Sequence, residues 1–233
     1  RKWQSGDGTG SIYVPAKAST AAVLQKAATD LGVSAVGVSE RPAGALMKLR
    51  KPRIGLWDQY GGSMPSGHVR WLLEQFEFDF EVVFPQSLDA GNLNARYDVL
   101  LFPDGGIPEN AGGGGFFGRQ PKAEEIPEQY RAHLGSVTID KTIPQLKQFA
   151  EAGGVIVAFG GSAVLGHHLG LPIRDHLVEV TTAGGERALP RDKYYVPGSI
   201  LRVAVENTSP LAFGLGREVD VLFENSPVLE LAP

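Results

Sequence analysis

An α/β fold built on a parallel sheet is predicted by three observations. Short apolar runs at residues 54–57, 80–84, 97–102 and 155–159 read as buried strands. Helical segments with one apolar face stand between them. Two of the runs end in glycine turns, Asp104-Gly105-Gly106 and Gly160-Gly161-Ser162. Strands that alternate with helices imply a parallel sheet covered on both faces, a three-layer, doubly wound arrangement with strands at 54–57, 80–84, 98–103 and 155–159.

Residues 1–10 read as loop, and Ile12 to Pro15 as a short strand or edge. Ser19 is placed to cap a helix whose apolar face is Val23, Leu24, Ala27, Ala28 and Leu31, with Gly32 as its stop. Residues 33–38 read as a strand and 41–52 as a linker, so that 1–51 form an N-terminal extension and 52–233 the α/β domain. After the strand at 54–57 and a polar loop, Ser66 is placed to cap a helix with Val69, Leu72, Leu73 and Phe76 on one face. A long loop follows the third strand, with a glycine run at 112–115. A helix at 139–152 turns Ile143, Leu146, Phe149 and Ala150 inward, and Gly153 stops it. From about residue 172 the texture becomes β-rich, with strands expected at 177–182, 194–196, 200–205 and 219–223, added to the sheet edge.

Composition narrows the function. The chain has 233 residues, a net charge of −4 and no cysteine, which removes disulfides, thiolate metal sites and cysteine nucleophiles. Nothing in the charge pattern forms a nucleic-acid footprint. The densest basic cluster, Lys48-Leu-Arg50-Lys51-Pro-Arg53, reads as a solvated linker. No apolar run approaches the ~20 residues of a membrane span. Arg1 in place of a methionine reads as a fragment or processed form.

Three constellations could carry chemistry. Ser162 follows a strand and two glycines, where α/β enzymes place a nucleophile; at the same point a serine commonly caps a helix. Gly105 and Gly106, after Asp104, sit where backbone N–H groups at a strand's carboxyl end could form an oxyanion loop or a plain turn. Trp57, Asp58, Tyr60, Ser63 and Ser66 follow the first strand, at the edge where α/β sheets bind ligands; with Asp104 they are the ligand-binding candidates, the alternative being a loop held by Trp57 and Tyr60 packing. His167 and His168 cannot both face Ser162 at their spacing. His176 and Glu179 match a two-ligand zinc spacing but lack a third ligand and run into a strand, so no metal site is expected.

Several tracts together are familiar. They are Pro52-Arg-Ile-Gly-Leu-Trp-Asp-Gln-Tyr-Gly-Gly-Ser-Met-Pro-Ser-Gly67, Arg70-Trp-Leu-Leu-Glu-Gln-Phe76, Asp98-Val-Leu-Leu-Phe-Pro-Asp-Gly105, Pro127-Glu-Gln-Tyr130, Tyr195-Val-Pro-Gly-Ser199 and Phe223-Glu-Asn-Ser-Pro227. Their combination resembles the C-terminal part of bacterial zinc carboxypeptidase-like proteins, where a class I glutamine amidotransferase-like, flavodoxin-like domain follows a metallopeptidase domain. The resemblance implies a secreted or periplasmic protein whose partner is the upstream peptidase domain of the same polypeptide, with room for a homo-oligomer. It places zinc in that peptidase domain and no cofactor in this chain. The amidotransferase triad is a cysteine with a His-x-Glu pair, and this sequence holds neither. The resemblance therefore implies a non-catalytic accessory domain serving stability, substrate presentation or assembly. The alternative is a serine hydrolase using Ser162.

Overall fold

A computed structural model describes residues 2–3, 12–43, 48–111, 120–182, 184–223 and 226–232. The glycine run at 112–115 and most of residues 1–10 lie outside them. The chain opens with β1 (Lys2–Trp3), α1 (Thr20–Leu31) and β2 (Ala35–Val36), and β1 pairs antiparallel with β2. Of the strand expected at 33–38 only β2 forms, and residues 12–15 hold no more than a single bridge at Tyr13. Gly32 ends α1 in the left-handed region at φ 63°. Ser19 does not cap α1: its backbone is helical and its side chain makes no capping bond, while the Thr20 hydroxyl accepts from the Lys17 N–H instead.

The central sheet is built from β3 (Ile54–Trp57), β4 (Phe80–Val83), β5 (Val99–Phe102) and β6 (Val155–Ala158), all parallel, in the spatial order β4-β3-β5-β6. Between these strands run α2 (Met64–Gln75), α3 (Pro85–Asp89), α4 (Leu93–Arg96) and α5 (Thr142–Glu151). The short α3 and α4 were not legible as helices. Nor were the 3₁₀ turns at Ala123–Glu125 and Glu128–His133; Gln86 fastens the second by donating to the carbonyls of Arg131 and Leu134.

Register decides what each sheet face buries. Gly55, Leu100 and Ile156 align, as do Trp57 with Val83 and Phe102 with Ala158. This face joins Leu88, Leu93, Ile143, Leu146 and Phe149 of α3, α4 and α5 in one apolar core. Gly55 must stay bare there, since a Cβ would stand 2.7 Å from Leu100 Cδ2. On the opposite face Ile54 and Leu56 are buried, whereas Val155 and Val157 at the β6 edge are exposed.

Arg53 fixes how β3 enters the sheet. Its guanidinium donates to both Asp98 carboxylate oxygens at 3.1 and 3.0 Å and to the carbonyls of Ala95 and Asn94. Its backbone N–H donates to Asp98 as well. The Arg53 side chain and then its backbone amide hold the Asp98 carboxyl down at about 2, against an ordinary value of 3.8. A depressed folded-state pKa contributes stability above the unfolded value and loses it as pH falls through the folded one. Asp98→Asn should therefore lower the urea midpoint at pH 7, and the gap to wild type should shrink between pH 4 and pH 2. A gap independent of pH would contradict this role.

After β6 the chain forms α6 (Leu165–His168), β7 (Ile173–Asp175), β8 (Val178–Val180), β9 (Glu186–Ala188), β10 (Ser199–Ala204), β11 (Glu218–Phe223) and β12 (Leu229–Leu231). The β-rich texture is present, but its strands do not extend the parallel sheet. They pair antiparallel as β7 with β12, β8 with β9 and β10 with β11. Residues 194–196, expected as a strand, follow a turn without pairing. Residues 1–49 and 197–224 form one compact unit, and 50–196 with 225–233 another.

Candidate functional site

Because β3, β5 and β6 are parallel and adjacent, the loops that follow them leave from one sheet edge. Chain order reverses between β3 and β5, the point where α/β sheets form a crevice. The three sequence constellations meet at this edge, and their polar groups are bound chiefly to one another.

Ser162 lies in a 3₁₀ turn, Gly160–Val164, and is fully buried. Its Oγ donates to the Pro103 carbonyl at 2.6 Å. The same oxygen accepts from the N–H groups of Gly106 at 2.9 Å and Ile107 at 3.1 Å. A hydroxyl has one proton and two lone pairs, so this is its full hydrogen-bonding capacity. Ser162 is neither the helix cap nor an exposed nucleophile: it clasps the β6 turn to the loop after β5. The Gly106 N–H, a candidate oxyanion donor, is shared between Ser162 Oγ and the Pro103 carbonyl at 3.0 Å, and Gly105 makes the turn at φ 78°.

A second bond reinforces the clasp. Asp104 Oδ1 accepts from the Gly161 N–H at 2.6 Å. Gly160, at φ 60°, lies so close that a Cβ there would be 2.7 Å from Asp104 Oδ1. The loop after β3 is joined on at Gly106, where a Cβ would stand 3.0 Å from Trp57 Cε3.

That first loop is held by its own side chains. Asp58 Oδ1 accepts from the N–H groups of Gln59 at 2.8 Å and Ser63 at 2.7 Å. Gly61 and Gly62 take positive φ, and Gly62 closes a turn on the Gln59 carbonyl. Ser63, not Ser66, caps α2: its extended backbone precedes Met64, its carbonyl accepts from Gly67 N–H at 2.9 Å, and Pro65 stands in the first turn. Ser66 is buried one turn inside, where its hydroxyl donates to the Trp57 carbonyl at 2.7 Å. Among the described residues the buried indole N–H of Trp57 has no hydrogen-bond partner. Tyr60 is half-buried.

Among the described residues no histidine is hydrogen-bonded to Ser162. His168 Nε2 lies 2.8 Å from the Pro108 carbonyl, and His167 faces Asp175 at 3.5 Å. His176 and Glu179 do not share a site. His176 Nδ1 contacts Glu230 at 2.8 Å, while Glu179 is paired with Arg187 and Lys193. Among the described residues no three His, Asp or Glu side chains could hold a metal, and no helix is long and apolar enough to cross a membrane.

A cavity of about 430 Å³ opens elsewhere, at the other end of the sheet, between Lys51, Arg53, Asp79, Glu81, Arg96 and Tyr97. Its charges are paired, Arg53 with Asp98, Lys51 with Asp79 and Arg96 with Glu81. Burial and then the Glu81 carboxylate push the Tyr97 phenol up to about 12. None of the sequence-derived site residues lines it.

Comparison with family models, with curated proteins and with solved structures finds no match for the chain.

Proposed function

We propose that the α/β unit is a non-catalytic accessory domain of a larger, secreted or periplasmic peptidase-like protein, with a flavodoxin-like, class I amidotransferase-like sheet whose turns serve stability and assembly. The observation that carries this reading is the saturated, buried Ser162 hydroxyl. A serine nucleophile needs a base within reach and free oxyanion donors. Ser162 gives its proton to a backbone carbonyl, and the Gly106 donor is turned onto Ser162's own oxygen. The strand order β4-β3-β5-β6 supports the flavodoxin-like arrangement. The sequence tracts quoted above are what suggest the peptidase neighbour, whose zinc would belong to that neighbour's own domain.

The test is chemical. Incubated with a serine-reactive fluorophosphonate, the folded chain should gain no adduct at Ser162, and it should hydrolyse activated esters no faster than its Ser162→Ala variant. Stoichiometric labelling of Ser162, with ester turnover that the variant lacks, would replace this proposal by the serine hydrolase.

A further inference from the structure

We infer that the basic stretch Lys48-Leu49-Arg50-Lys51 is a processing junction, open to an endoprotease specific for basic residues, at which the chain is cut while the parallel sheet stays folded. Leu49 ends one compact unit and Arg50 begins the other. Residues 48–51 are all exposed, and residues 48–50 have no helix or strand. Among the described residues, 37–43 and 48–52 make no backbone hydrogen bond. A protease must draw several residues into an extended conformation, and a segment without such bonds gives way at least cost.

The residue types then choose the bond. Arg41 and Lys51 are each followed by proline, whose ring and missing N–H spoil the scissile position. Lys48–Leu49 and Arg50–Lys51 remain. Lys51 is ion-paired with Asp79, whereas among the described residues Arg50 makes no ion pair and has only a through-space influence on Asp98. Hydrolysis adds one water across the Arg50–Lys51 amide, leaving a carboxylate on Arg50 and an ammonium on Lys51. Two residues further on, Arg53 is bound to Asp98 and to the carbonyls of Ala95 and Asn94, so β3 keeps its place after the cut.

The whole chain, treated briefly with a low dose of trypsin, tests this by intact mass and N-terminal sequencing. The first new N-terminus should be Lys51 or Leu49. The product starting there should retain a cooperative thermal transition. The double variant Lys48→Gln, Arg50→Gln, which removes no ion pair among the described residues, should lose that cut by at least about tenfold, because cleavage tracks the open, correctly recognised segment. A first cut elsewhere with 48–51 intact, or a product that unfolds on cutting at this junction, would overturn the inference.

Discussion

Ser162→Ala should destabilise the chain by about 3 kcal/mol and alter no turnover. The estimate follows from what the hydroxyl leaves behind. Removing it leaves the Ile107 N–H without its partner, while the Gly106 N–H and the Pro103 carbonyl keep their own 3.0 Å bond to each other. The unpaired Ile107 N–H costs about 1–3 kcal/mol, and the two further bonds lost at Pro103 and Gly106 add about 0.5–1.5 kcal/mol each. A serine that only capped a helix would lose about 0.5–2 kcal/mol. Urea unfolding of wild type and variant separates the two roles. A loss under about 1 kcal/mol would mean that the clasp contributes little.

Gly160→Ala should cost about 2–5 kcal/mol, from two separable sources. The left-handed backbone at φ 60° costs an L-residue about 1–2 kcal/mol. The rest is the collision with Asp104, whose Oδ1 would be 2.7 Å from the new Cβ. Overpacking of that kind typically costs about 1–3 kcal/mol. Asp104→Gly removes the Oδ1, Cβ and Cγ that the new Cβ would meet at 2.7, 2.8 and 2.9 Å, and also the bond to Gly161. In the Asp104→Gly background the second substitution should therefore be cheaper, leaving mainly the backbone term, and the double-mutant cycle should be clearly non-additive. Strict additivity would place Asp104 away from Gly160.

The strands of the parallel sheet were legible because each is a short apolar run bounded by turn residues. Ile54–Trp57 has the expected bounds, and β4, β5 and β6 are shorter only at their ends. The meeting of three constellations at one edge followed from parallel pairing alone. What each polar group does there did not follow. Ser162 and Ser66 look like helix caps from sequence spacing, yet both are buried and donate to carbonyls 59 and 9 residues away. Long-range bonds of this kind leave no local pattern. For the Arg53–Asp98 anchor a trace existed, since Pro52-Arg53 and Tyr97-Asp98 stand just before two strands that prove to be neighbours. The β-rich region was recognised by alternation, but alternation carries no information about which strand pairs with which.

The central claim is that the elbow is a structural clasp, and amide hydrogen exchange at Gly106 and Ile107 tests it most directly. Both N–H groups donate to a buried oxygen that no water replaces without opening the turn. Both should be strongly protected in the wild type; in Ser162→Ala the Ile107 N–H should exchange much faster and the Gly106 N–H, which keeps its bond to the Pro103 carbonyl, less so, while amides of β3 and β5 keep their protection. Rapid exchange of Gly106 and Ile107 in the wild-type chain, at the rate of the variant, would contradict it.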